Sequence, residues 1–227
     1  MADNDITKTS SEMKVTNQSE LNDLLVQMRA ETSVQARLIF ALDATASRQP
    51  TWDMACDLQA QMFAEVANLG TLHVQLVFYR GQECRASNWM ANPRQLAKAM
   101  RSLVCMGGIT QIGKVLSHVF RENTKERVAA VVFVGDAFEE SEGLVLGKAR
   151  KLGVPMFVFQ DGKDPVAESV FKGIAASTGG AYARFDQGAA RQLGDLLKAV
   201  AAFAAGGITA LESRKDAASA KLLTQLN

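Results

Sequence analysis

Four stretches of the chain are almost wholly apolar yet short: "RLIFAL" at 37–42, "TLHVQLVFY" at 71–79, "RVAAVVFV" at 127–134 and "VPMFVF" at 154–159. Runs of this length, rich in Val, Ile and Phe, suit strands buried on both faces. Between them lie longer segments whose apolar residues recur every three or four positions, as on one face of a helix. Strand and helix alternate, so the sheet is expected to be largely parallel and covered by helices on both sides.

The helices are legible from their ends as well as their period. Ser19 precedes Leu21, Leu24, Leu25 and Met28. The segment 49–70 carries Met54, Leu58, Met62 and Val66 and stops at Gly70. Arg80-Gly81-Gln82 is short enough to make a hairpin into a weaker strand, "ECRASNW". Asn92-Pro93 opens a helix with Leu96, Met100, Leu103 and Val104 expected inward. "CMGGITQ" interrupts, and a helix resumes with Ile112, Val115, Leu116, Val119 and Phe120. Further helices follow at "SEGLVLGKARKLG", at "DPVAESVFKGIAASTGG" (Val166, Val170, Ile174) and at 188–207 (Leu193, Leu196, Leu197, Val200), with a short strand "AYARFD" between the last two. This divides the chain into a polar arm (1–18), a helix and lead-in (19–36), the α/β domain (37–205) and a helix-prone tail (206–227) set off by Gly206-Gly207. The tail is either a docked helix or a partner-binding segment.

The first apolar run ends as "LDATAS". Asp43, Thr45 and Ser47 stand at alternate positions of an extended chain and so point the same way. Two more oxygens belong to the same edge of a parallel sheet: Thr110 in "GGIT" and Asp136 ending "VVFVGD". Ligands of open α/β sheets bind at that edge, where the strand order reverses.

These motifs, D-x-T-x-S, a Thr after paired glycines and an Asp after a later apolar strand, resemble the metal-ion-dependent adhesion site of the von Willebrand factor A domain, bacterial intracellular type. The resemblance runs from about residue 37 to about 205, and "IAASTGGAYARF" looks like the family's glycine pair before the last strand. It implies a Rossmann-like, doubly wound sheet of six strands in the order 3-2-1-4-5-6, one of them antiparallel at the edge. It also implies that Thr45 and Ser47 bind an ion through their hydroxyls, Thr110 directly or through water, and Asp43 and Asp136 through bound waters. Arg48, Gln111 and Ala137, beside those ligands, are expected to face a partner. Arg48 stands where many members have an apolar residue, and Ala137 where Gly is commoner.

An all-oxygen set suits Mg²⁺ or Mn²⁺. Neutral hydroxyls leave such an ion electrophilic, and an open position can accept an Asp or Glu from another protein. The expected function is therefore a non-enzymatic adaptor or assembly subunit; by resemblance, its partner could be an ATPase complex.

Other readings are weaker. Thr110 could instead cap the helix after it, and Glu139, Glu140 and Glu142 could complement a helix N-terminus. "GITQIGK" fits part of a phosphate-binding loop, but Val115 replaces the Mg²⁺-binding hydroxyl and a helix precedes it. A phosphoester hydrolase using the same ion needs a nucleophile and base; Asp43-Ala44-Thr45 lacks the second Asp, and His73 and His118 share no spacing. An RNA-binding role needs a basic groove. The net charge of +1, with bases scattered among acids, gives no basic stripe.

The three cysteines, Cys56, Cys84 and Cys105, make no metal-type spacing and read as reduced thiols. No signal peptide or run of roughly 18 apolar residues is evident. The expectation is a cytoplasmic protein without membrane or nucleic-acid partners.

Overall fold

The structure is a computed structural model that describes residues 34–46, 49–66, 70–80, 82–185 and 189–226. The expected N-terminal arm and helix, and with them Ser47 and Arg48, lie outside the described residues. A six-stranded sheet has the order β3-β2-β1-β4-β5-β6. Its strands are β1 (Val34–Asp43), β2 (Gly70–Arg80), β3 (Glu83–Met90), β4 (Ala130–Gly135), β5 (Met156–Asp161) and β6 (Tyr182–Phe185). Only the edge pair β2–β3 is antiparallel; the other pairings are parallel. The helices are α1 (Gln49–Val66), α2 (Pro93–Arg101), α3 (Ile112–Lys125), α4 (Glu142–Ala149), α5 (Pro165–Thr178), α6 (Ala190–Ser213) and α7 (Ala217–Leu223).

The continuous apolar character of β1 follows from its place in mid-sheet. Leu38, Phe40 and Leu42 enter one core with Trp52 and Met62 of α1 and Leu197 and Val200 of α6. Ile39 and Ala41 enter the other with Val115 and Leu116 of α3 and Phe171 and Ile174 of α5. Asp43 has the parity of the second set, so its carboxylate emerges on the α3 side of the sheet.

Local chemistry sets the helix ends. Asn92 Oδ1 accepts from Arg94 N at 2.8 Å with Pro93 in the first turn of α2, and Asp164 Oδ1 accepts from Ala167 N at 2.7 Å ahead of Pro165 in α5. Helix α5 ends on Gly179, whose φ of 68° is left-handed. Beside it, a Cβ on Gly180 would fall 2.1 Å from the Met156 carbonyl oxygen, so only glycine permits β5 to pass.

Several sequence expectations need correction. Helix α2 ends at Arg101 with Ser102 as its C-cap, which leaves Val104 outside the helix and 64% exposed. Phe120 is 50% exposed and Val166 57%, since each lies at the margin of its helix's apolar stripe. Helix α6 runs through Gly206 into the tail, with non-helical backbone at Gly207. It is long and apolar enough to cross a membrane, where no such run was expected; 56% of that stretch is buried within the fold, which accounts for its Ala-rich composition. Beyond it Leu211 and Leu222 are fully buried. The Gln225 amide exchanges two 2.9 Å hydrogen bonds with the Tyr182 backbone, extending the edge of β6. All three cysteines are free thiols.

Candidate metal centre

The strand order reverses between β1 and β4, and the site grows from that seam. Leu42 pairs with Val134, which sets Asp43 at the end of β1 level with the last residue of β4, just before Asp136. On the other side Asp43 pairs with Tyr79 of β2. The chain after Asp43 turns at once: Thr45 N donates to Asp43 Oδ1 at 2.8 Å, and Ala44 N to the Tyr79 carbonyl at 2.9 Å. The loop between α2 and α3 is drawn over the same edge, since Met106 N donates to the Ala44 carbonyl at 3.0 Å. This brings in Gly107, Gly108 and Thr110.

Asp43, Thr45, Thr110, Asp136 and Ala137 consequently line one cleft of about 210 Å³, with Glu139 at its side and, among the described residues, no Lys or Arg in its wall. Residues from three separate stretches of sequence meet here. Size does not mark this site: a cleft of about 410 Å³ opens at the opposite edge of the sheet, where Arg37 is already taken up by Glu122 and Glu126.

One acid of the cleft has an uncompensated oxygen. Asp43 is 3% exposed, and its Oδ2 has no hydrogen-bond partner. Burial is the largest influence on its carboxyl and lifts its pKa above the ordinary value; hydrogen bonds from Thr45 oppose the shift, and the charge of Asp136 adds to it. Tyr79 faces Asp43 and favours its charged form, but its hydroxyl closes no hydrogen bond of normal geometry. Burial, then the charges of Asp43 and Asp136, hold that phenol well above its usual range, so it stays neutral.

The "EESE" acids have defined places. Glu139 Oε2 accepts from Thr110 N at 3.0 Å while Glu139 N donates to Thr110 Oγ1 at 2.9 Å. The reciprocal pair fixes the Thr110 hydroxyl at the cleft and leaves it lone-pair capacity for a further partner. Glu140 spans the first turn of α3, with Oε1 accepting from Ile112 N and Oε2 from Gly113 N at 3.0 Å. Burial raises the Glu140 pKa, opposed first by the Gly113 and Ile112 amides and then by Lys148 and Lys114. The cap of α3 is thus a carboxylate from another loop, not Thr110, and the N-cap residue Gln111 makes no side-chain cap. Gln111, expected to face a partner, is 5% exposed; its amide donates to the Glu83 carbonyl at 3.2 Å and accepts from Lys114 at 2.6 Å. Ala137 is half-buried in the cleft wall.

Sequence reasoning did not reach Tyr79 or the separate roles of Glu139 and Glu140. It also missed a second buried acid at this edge: Asp161, ending β5, accepts from the Thr51 hydroxyl at the start of α1. The "FQDG" that ends β5 was the available signal.

Among the described residues no three His, Cys, Asp or Glu side chains cluster as a metal site. The cleft offers a different donor set, two carboxylates with hydroxyls. An oxygen-only set with an orphaned, buried carboxylate oxygen and no cationic side chain among the described residues fits a hard divalent ion better than a soft one.

Comparison with solved structures identifies the architecture. The chain is similar to the VWA domain of SpRpn10 (12% identity over 68% of this chain and 89% of that one, TM-score 0.54). It is also similar to the vWF domain of the type V pili tip protein Mfa5 from Porphyromonas gingivalis (9%, 75% and 95%, TM-score 0.58). A third likeness is to proximal thread matrix protein 1 from the mussel byssus, whose metal-ion-dependent adhesion site holds zinc (19%, 76% and 48%, TM-score 0.58). The fold is that of a von Willebrand factor A domain. At these identities the likeness establishes the fold alone. No family model and no curated protein sequence matches the chain.

Proposed function

We propose that the protein is a non-enzymatic interaction module that binds Mg²⁺ or Mn²⁺ at the carboxyl edge of its sheet and, through the ion's open position, an Asp or Glu of a partner protein. One observation carries the reading: Asp43, Thr45, Thr110 and Asp136 converge on a cleft that holds an unpaired, buried carboxylate oxygen and, among the described residues, no positive side chain. Asp43 and Asp136 would balance the ion's charge; Thr45, Thr110 and, from the sequence motif, Ser47 would supply hydroxyls. When bound, the ion supplies a Lewis-acidic centre for a carboxylate. Zinc at the corresponding motif of the mussel protein supports a divalent occupant.

No pair of nucleophile and general base lines the cleft among the described residues; His118 Nε2 is bonded to Gln75 Oε1 at 2.8 Å, away from it. This favours binding over hydrolysis. The three free thiols support a reducing, cytoplasmic setting, in which an ATPase complex is one class of partner. Affinity capture with the full chain in Mg²⁺ and in EDTA, read by mass spectrometry, tests the reading. A partner retained only with Mg²⁺, and lost with Asp43→Ala and Thr110→Ala, is the expected result. Equal capture by wild type and both variants in excess chelator contradicts it.

A further inference from the structure

The near-neutral net charge hides a local excess. Two clefts flank α3. One, of about 260 Å³, lies toward the β2–β3 hairpin and is lined by Arg85, Lys114 and Arg121. The other, of about 320 Å³, lies toward α4 and is lined by Leu116, Phe120, Arg121, Lys148 and Lys151. Ser117 and Arg121 belong to both, so the two form one surface across the helix. Among the described residues neither wall contains an Asp or Glu.

The cations of this surface are poorly neutralised. Lys148 Nζ donates to the Gly113 carbonyl at 2.8 Å and Ser117 Oγ at 2.9 Å, and Lys114 Nζ to the Gln82 carbonyl and Gln111 Oε1. All four acceptors are uncharged. Arg85 is paired with Glu83, and Glu140 lies within electrostatic reach of Lys148 and Lys114, but it is held by the amides of α3. Arg121 and Lys151 have no ion pair among the described residues. In their midst Phe120, a residue whose period would have taken it inward, stands 50% exposed.

We infer that this surface of α3 and α4 docks an acidic segment of a partner protein, one that carries an apolar side chain against Phe120. Charge complementarity selects the occupant: a carboxylate-rich peptide meets four cations, Lys114, Arg121, Lys148 and Lys151, that have no ion pair among the described residues. The apolar centre selects it further. A cleft walled by Leu116 and Phe120 receives an aliphatic or aromatic side chain, whereas a nucleic acid needs cations tracking a phosphate backbone and several stacking platforms. The surface is separate from the metal cleft, so docking here does not require the ion.

The test is fluorescence anisotropy with the full chain in EDTA, which removes any contribution from a bound cation. The probes are a fluorescein-labelled Glu-rich peptide with a central Leu-Phe, its Lys-for-Glu counterpart, and a labelled oligothymidylate. The Glu-rich peptide is expected to bind in a salt-sensitive manner, with the Lys peptide silent. Arg121→Glu and Lys151→Glu each weaken it by about tenfold, Phe120→Ser by roughly fivefold, and Arg94→Glu, a charge reversal on α2, leaves it unchanged. All four positions are exposed, and far-UV melting curves confirm folding of each variant. Absence of binding, equal binding by Arg121→Glu and wild type, or tighter binding of the oligothymidylate overturns the inference.

Discussion

Asp43 keeps one carboxylate oxygen shut from solvent with no partner, beside a second acid and a phenol whose pKa is held well above its usual range. Such a group destabilises a fold unless a cation answers it. Replacing Asp43 by Asn keeps the shape and removes the charge. Without metal, the Asp43→Asn protein is expected to melt no lower than wild type, while added Mg²⁺ raises the melting temperature of wild type alone; scanning calorimetry reads both effects. Glu140 differs in that both its oxygens are used: burial raises its pKa too, but the carboxylate caps the first turn of α3. Glu140→Ala uncaps Ile112 N and Gly113 N and is expected to cost about 1 kcal/mol in urea titration. The two residues also differ in legibility. Asp43, Thr45 and Ser47 declare themselves because alternate positions of one strand share a direction. The Glu140 cap joins residues 27 and 28 positions apart, and no local pattern encodes that closure.

At the scale of elements, strands and helices were legible from apolar period and end signals, because burial on two faces or one stripe imposes its own spacing. They failed where a helix stopped or turned its margin outward. Val104 continues the spacing of α2 but falls beyond its C-cap, and Phe120 shares the spacing of α3 but overlooks a groove. The glycine pair before β6 was read as a motif; the backbone explains it. Gly180→Ala drives a Cβ into the Met156 carbonyl and is expected to unfold the protein or cost several kcal/mol, measured by circular dichroism. The seating of α3 on β2 has a pH dependence. Partial burial holds His118 below its ordinary value of 6.5. The unfolded chain therefore takes up the proton first. The stabilising contribution is complete above about pH 6.5 and is lost as the pH falls through the folded value. Urea midpoints compared between pH 7.5 and 5.5 are expected to fall further for wild type than for His118→Gln.

Across the whole molecule, charge is separated by topology. The parallel sheet sends its acids to one edge, at the seam of β1 and β4, while α3 and α4 turn their cations to one lateral surface. A net charge of +1 averages the two away, which is why no basic stripe was visible in the sequence. Strand order could be anticipated because the oxygen-bearing motifs came in the order of a known fold; the lateral surface could not, because its residues come from a hairpin and two helices. The central claim is that side chains from distant segments share one cation. Isothermal titration of the full chain with Mg²⁺ and with Mn²⁺ tests it most directly. The account predicts saturable uptake of one ion per chain, abolished in Asp43→Ala and weakened by at least tenfold in Thr110→Ala. Absence of uptake by wild type, or undiminished uptake by the Asp43 variant, contradicts it.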